Sequence, residues 1–349
     1  MTEENELGAR HQEILAVLVR LYVSTGEPVG SKAVSGHFHP SLSPATIRNV
    51  MAELEVAGFL THPHTSAGRI PADKAYRFYV DRLTKPTCLG TAIEKYIEET
   101  LSAEAAPMDE FMERVSLLLS EVSNNLGLVL GPSLEEKLLE HIKFVRLPDA
   151  RVLAVIVSKP DLIENKVFRL EDDINQQALD RAADFLNHEF RGWSLRTIRV
   201  EMVKRVEEMK ALSDQLLSDA AKLFMWGALA QTQPGPLFVG GAARILDQQD
   251  FLDAGKVKEL LATLEEKAKV VKILSACVEA AHRGVQVLIG RENPNSEMAQ
   301  CTCIVAPYHY RRRPVGALGV IGPTRMEYDR AIKTVEYVAQ VTSRLLSAN

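Results

Sequence analysis

The chain has 349 residues, of which 46% are hydrophobic and 25% charged, and its formal net charge is −5. That length holds two or three cored domains, and the acidic balance excludes a protein that coats nucleic acid through bulk positive charge. The longest apolar runs, residues 14–19 and 152–157, fall far short of the about 18 residues a membrane span requires, so no membrane partner is expected.

Residues 1–6 are acidic and lack an apolar core, which predicts no secretory signal. Cys88, Cys277, Cys301 and Cys303 make no disulfide framework for a chain of this size and suit a reducing compartment, so a cytoplasmic location is expected.

Ile14, Leu18, Leu21 and Tyr22 recur at helical spacing and predict a first helix over residues 9–24, broken by Gly26-Glu27-Pro28. Ser31 is placed to cap a short second helix holding Ala33 and Val34, with Phe38 near its end and His39-Pro40-Ser41 as the turn. Ser43-Pro44 signals the start of a third helix: Ser caps, and Pro takes the first position, where its missing N–H costs nothing. Ile47, Val50, Met51 and Leu54 form the apolar face, and Gly58 closes the helix. A strand, an irregular loop and another apolar segment follow, with Tyr76, Phe78, Tyr79 and Val80 packing the far side. This order reads as a compact winged helix-turn-helix unit. Lys85-Pro86 and Gly90 mark its boundary.

Residues 108–126 read as an amphipathic helix with Phe111, Val115, Leu118, Val122 and Leu126 on one side and Gly127 as its stop. The period changes from Ile142. Residues 151–158 and 166–170 predict strands parted by Pro160-Asp161, and a helical region follows over about residues 173–226. Strands resume near residues 237–239, 285–289, 301–306 and 317–321, before a final helix over residues 326–346. Strands on both sides of a helical block predict an α+β domain interrupted by an insertion.

On the third helix the apolar stripe leaves Ala45, Thr46, Arg48, Asn49 and Glu53 off the buried face. Arg pairs bidentately with guanine and Asn with adenine, while the Ala45 methyl and Thr46 hydroxyl suit thymine and phosphate. Ser43 and the free N–H groups at the helix start suit a phosphate. A solvated helix face carries the same residue types, so this helix alone leaves both readings open.

The loop His64-Thr65-Ser66-Ala67-Gly68-Arg69-Ile70-Pro71 is small, polar and punctuated by Gly and Pro, as a wing is. Hydroxyls of Thr65 and Ser66 bond phosphates, Gly68 permits a tight turn and close backbone approach, and Arg69 suits a groove or the backbone. The bland alternative is a surface hairpin. Between Gly58 and Gly90 the chain carries Arg69, Lys74, Arg77, Arg82 and Lys85 against Asp73 and Asp81, an excess of three positive charges.

Three N-terminal segments resemble the bacterial heat-inducible transcription repressor family HrcA. They are Ser43-Pro44-Ala45-Thr46-Ile47-Arg48-Asn49, the run from His62-Pro63-His64 to Pro71, and Tyr76-Arg77-Phe78-Tyr79-Val80-Asp81. Ile289-Gly290-Arg291-Glu292-Asn293, Ala306-Pro307-Tyr308 and Gly322-Pro323-Thr324-Arg325-Met326-Glu327-Tyr328 are similar to the family's C-terminal signatures. The resemblance implies a multidomain α+β fold. It has a winged helix-turn-helix domain at 1–85, a GAF-like domain at 86–172 and 236–349, and an inserted dimerisation region at 173–235. It implies repression of chaperone operons by a homodimer on an inverted-repeat operator in double-stranded DNA. Activity would be maintained by the chaperonin GroEL and lost on heat stress.

Other constellations carry less. His62-x-His64 flanks Pro63 with no Cys or carboxylate cluster in the sequence beside it, which favours wing structure over a metal. Cys301-x-Cys303 on a strand points both thiols one way, into the core. Arg311-Arg312-Arg313 reads as a solvated turn, or as an accessory phosphate or subunit contact. Gly322-Pro323-Thr324-Arg325 lacks the Gly-Lys-Ser/Thr of a phosphate loop and reads as a turn into the last helix with Thr324 as cap. Gly240-Gly241 reads as a tight turn after a strand. No nucleophile with a placed base is found, so no catalytic residue, cofactor or metal is assigned and an enzyme is not expected. The rival reading is a winged-helix factor that senses a small molecule in its GAF-like domain.

Overall fold

The computed structural model describes residues 7–38, 42–63, 68–82, 89–103, 107–132, 137–159, 162–169, 174–208, 223, 235–242, 267–279, 284–294 and 298–348. Helix α1 (Ala9–Thr25) buries Ile14, Leu15, Leu18 and Val19 and closes at Gly26, whose φ of 73° places it in the left-handed region. Helix α2 (Ser31–Ser35) buries Val34. Its N-cap is Gly30, with no side-chain cap, so Ser31 is the first helical residue and not the expected cap. Helix α3 (Pro44–Val56) starts as expected: Ser43 Oγ accepts the Thr46 N–H at 3.1 Å, with Pro44 at the first position.

The end of α3 is a Schellman motif. The Phe59 N–H reaches Leu54 O at 2.9 Å and the Gly58 N–H reaches Glu55 O at 3.0 Å, with Gly58 at φ +77°. Strands β1 (Leu60–Thr61) and β2 (Ile70–Pro71) then pair antiparallel, Leu60 opposite Pro71 and Thr61 opposite Ile70. Val29 and Arg69 exchange both backbone hydrogen bonds at 2.9 Å, which ties this hairpin to the segment before α2. The aromatic run after it is helix α4 (Asp73–Asp81), which buries Ala75 and Tyr76.

Beyond this N-terminal unit the chain runs through α5 (Thr91–Ser102), α6 (Met108–Ser123), β3 (Leu126–Leu130), β4 (Leu138–Leu147), β5 (Arg151–Lys159) and β6 (Leu162–Arg169). Then come α7 (Gln176–Phe190), α8 (Leu195–Glu208), β7 (Leu237–Gly240), α9 (Lys267–Glu279), β8 (Gln286–Ile289), β9 (Cys301–Tyr310), β10 (Arg313–Pro323) and α10 (Tyr328–Ala348). Five strands form one antiparallel sheet in the order β7-β3-β10-β9-β8. Alternate residues face opposite cores. Val129, Ile304, Ala306, Leu318 and Val320 join α6 and α10, while Leu128, Cys301, Cys303 and Val305 join α9. The first of these cores is continuous with that of the N-terminal unit, from Ile14 and Leu54 through Tyr76 to Val338.

The hairpin between β9 and β10 turns on Arg311 and Arg312, both at positive φ, with Tyr310 opposite Arg313. A two-residue turn with both central residues left-handed matches the twist of its strands, and the three arginines are exposed there. Gly241, at φ +79°, turns the chain after β7.

Two expectations about chain punctuation fail for packing reasons. Helix α6 ends at Ser123 with Asn124 left-handed at φ 56°, and Leu126 opens β3. Gly127 is no helix stop: a Cβ there would lie 1.9 Å from Ser116 O, so glycine lets the strand pass close under the helix. Helix α10 starts at Tyr328, past the expected cap, and Tyr328 Oη donates to the Thr324 carbonyl at 2.7 Å.

The expected boundary at 173 cuts through a single unit. Strands β4, β5 and β6 form their own three-stranded antiparallel sheet. Their buried side chains, among them Ile142, Phe144, Ala154 and Ile156, pack with Leu179, Leu186 and Phe190 of α7 and with Ile198 and Met202 of α8. Strand alternation looks the same whichever helix covers it, so the pattern could not assign these strands. The chain leaves and rejoins the larger sheet at one place, where the Gly131 N–H reaches Pro236 O at 2.8 Å. Much of the expected helical block beyond residue 208 lies outside the described residues.

Candidate nucleic-acid interface

The capped start of α3 presents one polar stripe. Ser43, Ala45, Arg48, Asn49 and Glu53 are exposed and Thr46 is half-buried, opposite the buried Ile47, Val50, Met51 and Leu54. The Thr46 and Ser43 hydroxyls lie 2.8 Å apart. Arg48 and Asn49 make no hydrogen bond or ion pair with the described residues. A guanidinium and an amide one residue apart near a helix N-terminus can both reach base edges when that end enters a major groove.

The hairpin beside α3 is braced from within. Arg69 Nε stands 2.6 Å from Glu55 Oε2, and the other carboxylate oxygen of Glu55 contacts His62 Nδ1. Glu55 escaped the sequence reading. The only available signal was its place on the flank of the apolar stripe, next to Leu54. Gly68 has a structural task of its own, since a Cβ there would lie 2.6 Å from Pro28 O. His64, Thr65 and Ser66, named for phosphate contacts, lie outside the described residues.

Much of the positive charge expected around the wing is engaged by groups of the protein itself. Lys74 Nζ donates to Ala57 O at 3.2 Å, at the C-terminal end of α3, and sits 4.3 Å from the centre of the Phe59 ring. Arg82 lies over the Phe78 ring and donates to Gln12. Arg77 is directed at Glu292 and Val287 of the sheet domain. Lys85 lies outside the described residues. Sequence reasoning counted these charges but could not see their directions.

On the other side of α4, Tyr79 Oη donates to Asp329 Oδ2 at 3.1 Å. Burial, and then the adjacent Asp329 carboxylate, push the Tyr79 phenol above its ordinary pKa. Cys301 and Cys303 point into the core as expected.

Residues 109–332 match the family model described as the HrcA protein C terminal domain. The chain is 35% identical over 341 residues to the heat-inducible transcription repressor HrcA of Geobacter sulfurreducens, covering 98% of each chain. It is 34% identical over 342 residues to that of Syntrophobacter fumaroxidans, again covering 98% of each. The chain belongs to the HrcA family. A crystal structure of a hypothetical protein, 20% identical over 98% of this chain and 99% of that one, shares the fold at a TM-score of 0.62. The HrcA relatives carry repressor names across the full length of the match, the N-terminal unit included. Among the described residues no helix is long and apolar enough to cross a membrane.

Proposed function

We propose that this chain represses transcription of chaperone operons as a homodimer bound to an inverted-repeat operator in double-stranded DNA. The N-terminal unit acts as a winged helix-turn-helix, and the five-stranded α+β domain as a GAF-like body. The observation that carries this reading is the exposed, Ser43-capped start of α3, where Ala45, Arg48 and Asn49 face solvent beside a two-stranded hairpin. In this reading Arg48 and Asn49 read bases. Ser43 and the first N–H groups of α3 hold a phosphate, and the loop from His64 to Arg69 lies along the backbone or minor groove. A net charge of −5 makes the contact local, so affinity rests on a few directed groups. Two copies are required because an inverted repeat presents two half-sites related by a dyad.

The order in which the sheet is assembled supports a heat response of this kind. The larger sheet is completed only after the inserted unit and the residues beyond it have been made, because β3 pairs with β7 and β10 across that interruption. Such non-local closure slows folding and exposes aggregation-prone intermediates, which GroEL would rescue in the cytoplasm. Heat-damaged clients that occupy GroEL then lower the active repressor. The test is footprinting of DNA from upstream of a chaperone operon with purified protein. In parallel, operator binding is recovered after dilution from denaturant, with and without GroEL, its cochaperonin and ATP. Protection of the repeat and chaperonin-enhanced recovery support the reading; no protection overturns it.

One observation favours small-molecule sensing as a second reading. A cleft of about 370 Å³ opens where the end of α1 meets the body, lined by Ser24, Thr25, Asn124, Asn125, Arg325 and Arg330 among others. Operator affinity that changes with a metabolite mixture and not with the chaperonin would favour it.

A further inference from the structure

Two of the C-terminal segments that resemble the family's signatures, at residues 289–293 and 322–328, meet helices α4 and α1 of the N-terminal unit. Arg77 Nε donates to Glu292 Oε1 at 2.8 Å, its Nη2 reaches the other Glu292 oxygen, and the same Nη2 donates to Val287 O at 2.6 Å. These partners are 215 and 210 residues away in sequence. The fork of the guanidinium matches the carboxylate, which fixes direction as well as distance. One turn earlier on α4, Asp73 Oδ2 accepts the Arg291 N–H at 3.1 Å. Gly290 makes this approach possible. It sits at φ +53°, and a Cβ there would lie 2.3 Å from Asp73 Oδ2.

Glu292 is itself held, because its carboxylate also accepts the Ile289 N–H at 2.9 Å. Asn293 ties the loop behind it to Gly290 O, Met298 O and Cys301 O at 2.9, 3.2 and 2.9 Å. Further points complete the attachment: Tyr79 to Asp329, the Tyr76 and Tyr328 rings with centres 5.7 Å apart, and Arg325 Nη1 to Val23 O at 3.3 Å. Helices α1 and α4 are thus pinned at several separate places, and the exposed stripe of α3 takes part in none of these bonds.

Resting on the reading above, we propose that Asp73, Arg77, Gly290 and Glu292 are positioning residues. They hold the DNA-reading unit at one angle to the body, and so set the half-site spacing that a dimer accepts. The physical reason is that two reading helices must arrive in register on one face of the duplex, about 10 base pairs or a multiple apart. A reader free to swivel still binds a half-site but no longer selects the separation.

The experiment compares full-length wild type, Arg77→Glu, Glu292→Arg and the double exchange. The probe is duplex DNA carrying the inverted repeat from upstream of a chaperone operon, with its natural spacer and with spacers lengthened by two and by about five base pairs, the last being half a turn. Each single variant is expected to lose about tenfold in affinity for the natural spacer and to discriminate less between spacers, with the exchange restoring part of both. Should the single variants fail to fold, Glu292→Gln, which keeps an acceptor for Ile289, is measured against the same criteria. Unchanged spacing preference in folded variants overturns the proposal, and so does a loss of equal size at every spacing, which marks a merely structural role. Wild type that binds no operator at any spacing overturns the proposed function, and this inference with it. Wild type that binds while the variants keep its spacing preference overturns this inference alone.

Discussion

Arg69 Nε stands 2.6 Å from Glu55 Oε2, so the one arginine of the hairpin is paired, by charge, with a carboxylate on the helix beside it. Both side chains are about a quarter exposed, at 25% and 24%, and such pairs contribute at most about 1 kcal/mol to stability. In the proposed complex Glu55 competes with phosphate for Arg69 and adds a like-charge repulsion. Glu55→Gln, which keeps the shape and an acceptor for His62, is therefore expected to tighten operator binding by up to about fivefold. Arg69→Ala is expected to weaken it and to reduce the slope of log affinity against log salt by about one. Fluorescence anisotropy across a salt series measures both; equal slopes for Arg69→Ala and wild type would remove Arg69 from the interface.

Arg48 and Asn49 are exposed and unpaired among the described residues, so their loss leaves no buried group unsatisfied. Each Ala substitution is expected to leave the melting temperature unchanged, to cost about 1–3 kcal/mol of operator affinity, and to relax the preference at one base pair of each half-site. Selection from operator libraries randomised in one half-site reads the preference directly. A uniform loss across all sequences would assign these side chains to phosphates.

What was legible in advance was local. Ser43-Pro44 announces a capped helix because N-cap chemistry needs only three following residues, and the Ser43 bond to the Thr46 N–H is there. Gly58 as the helix stop and the strands at β9 and β10 were legible for similar reasons. Arg77 shows the limit. By composition it belonged to a basic patch near the wing, yet its partner Glu292 lies 215 residues away. No periodicity links two such positions. The same holds for β4–β6, whose alternation fitted either core, and for Gly127, where the deciding neighbour is a backbone carbonyl of another element.

Gly127→Ala tests that helix-on-strand approach. An added methyl would meet Ser116 O at 1.9 Å, and neither α6 nor β3 can retreat, because both faces of the sheet are covered. Overpacking of this kind costs about 1–3 kcal/mol, and here backbone meets backbone, so the upper end is expected. Urea denaturation followed by the loss of operator binding would show an earlier midpoint than wild type. An unchanged midpoint would mean that α6 is free to shift on the sheet.

The buried thiols report opening of the same sheet. Burial raises the Cys277 pKa from 9.0 to about 11 and pushes Cys303 higher still, with the neighbouring Cys301 adding to the shift. A thiol raised in the folded state keeps its proton while the unfolded chain gives its own up near pH 9. The unfolded state therefore binds fewer protons above that pH, and stability falls as pH climbs from about 9 through 11. The burial-raised phenols of Tyr308 and Tyr328 act in the same direction. The urea midpoint is expected to drop between pH 8 and pH 10.5. At pH 8, in Cys88→Ser protein, Cys277, Cys301 and Cys303 are expected to react with a thiol reagent only as fast as the fold opens. Warming should then raise the labelling rate in step with the loss of operator binding, since both read the same open population. Fast, complete labelling at 25 °C in protein that still binds operator would show that the sheet opens without disturbing the reader, and would separate the heat response from the body's folding equilibrium.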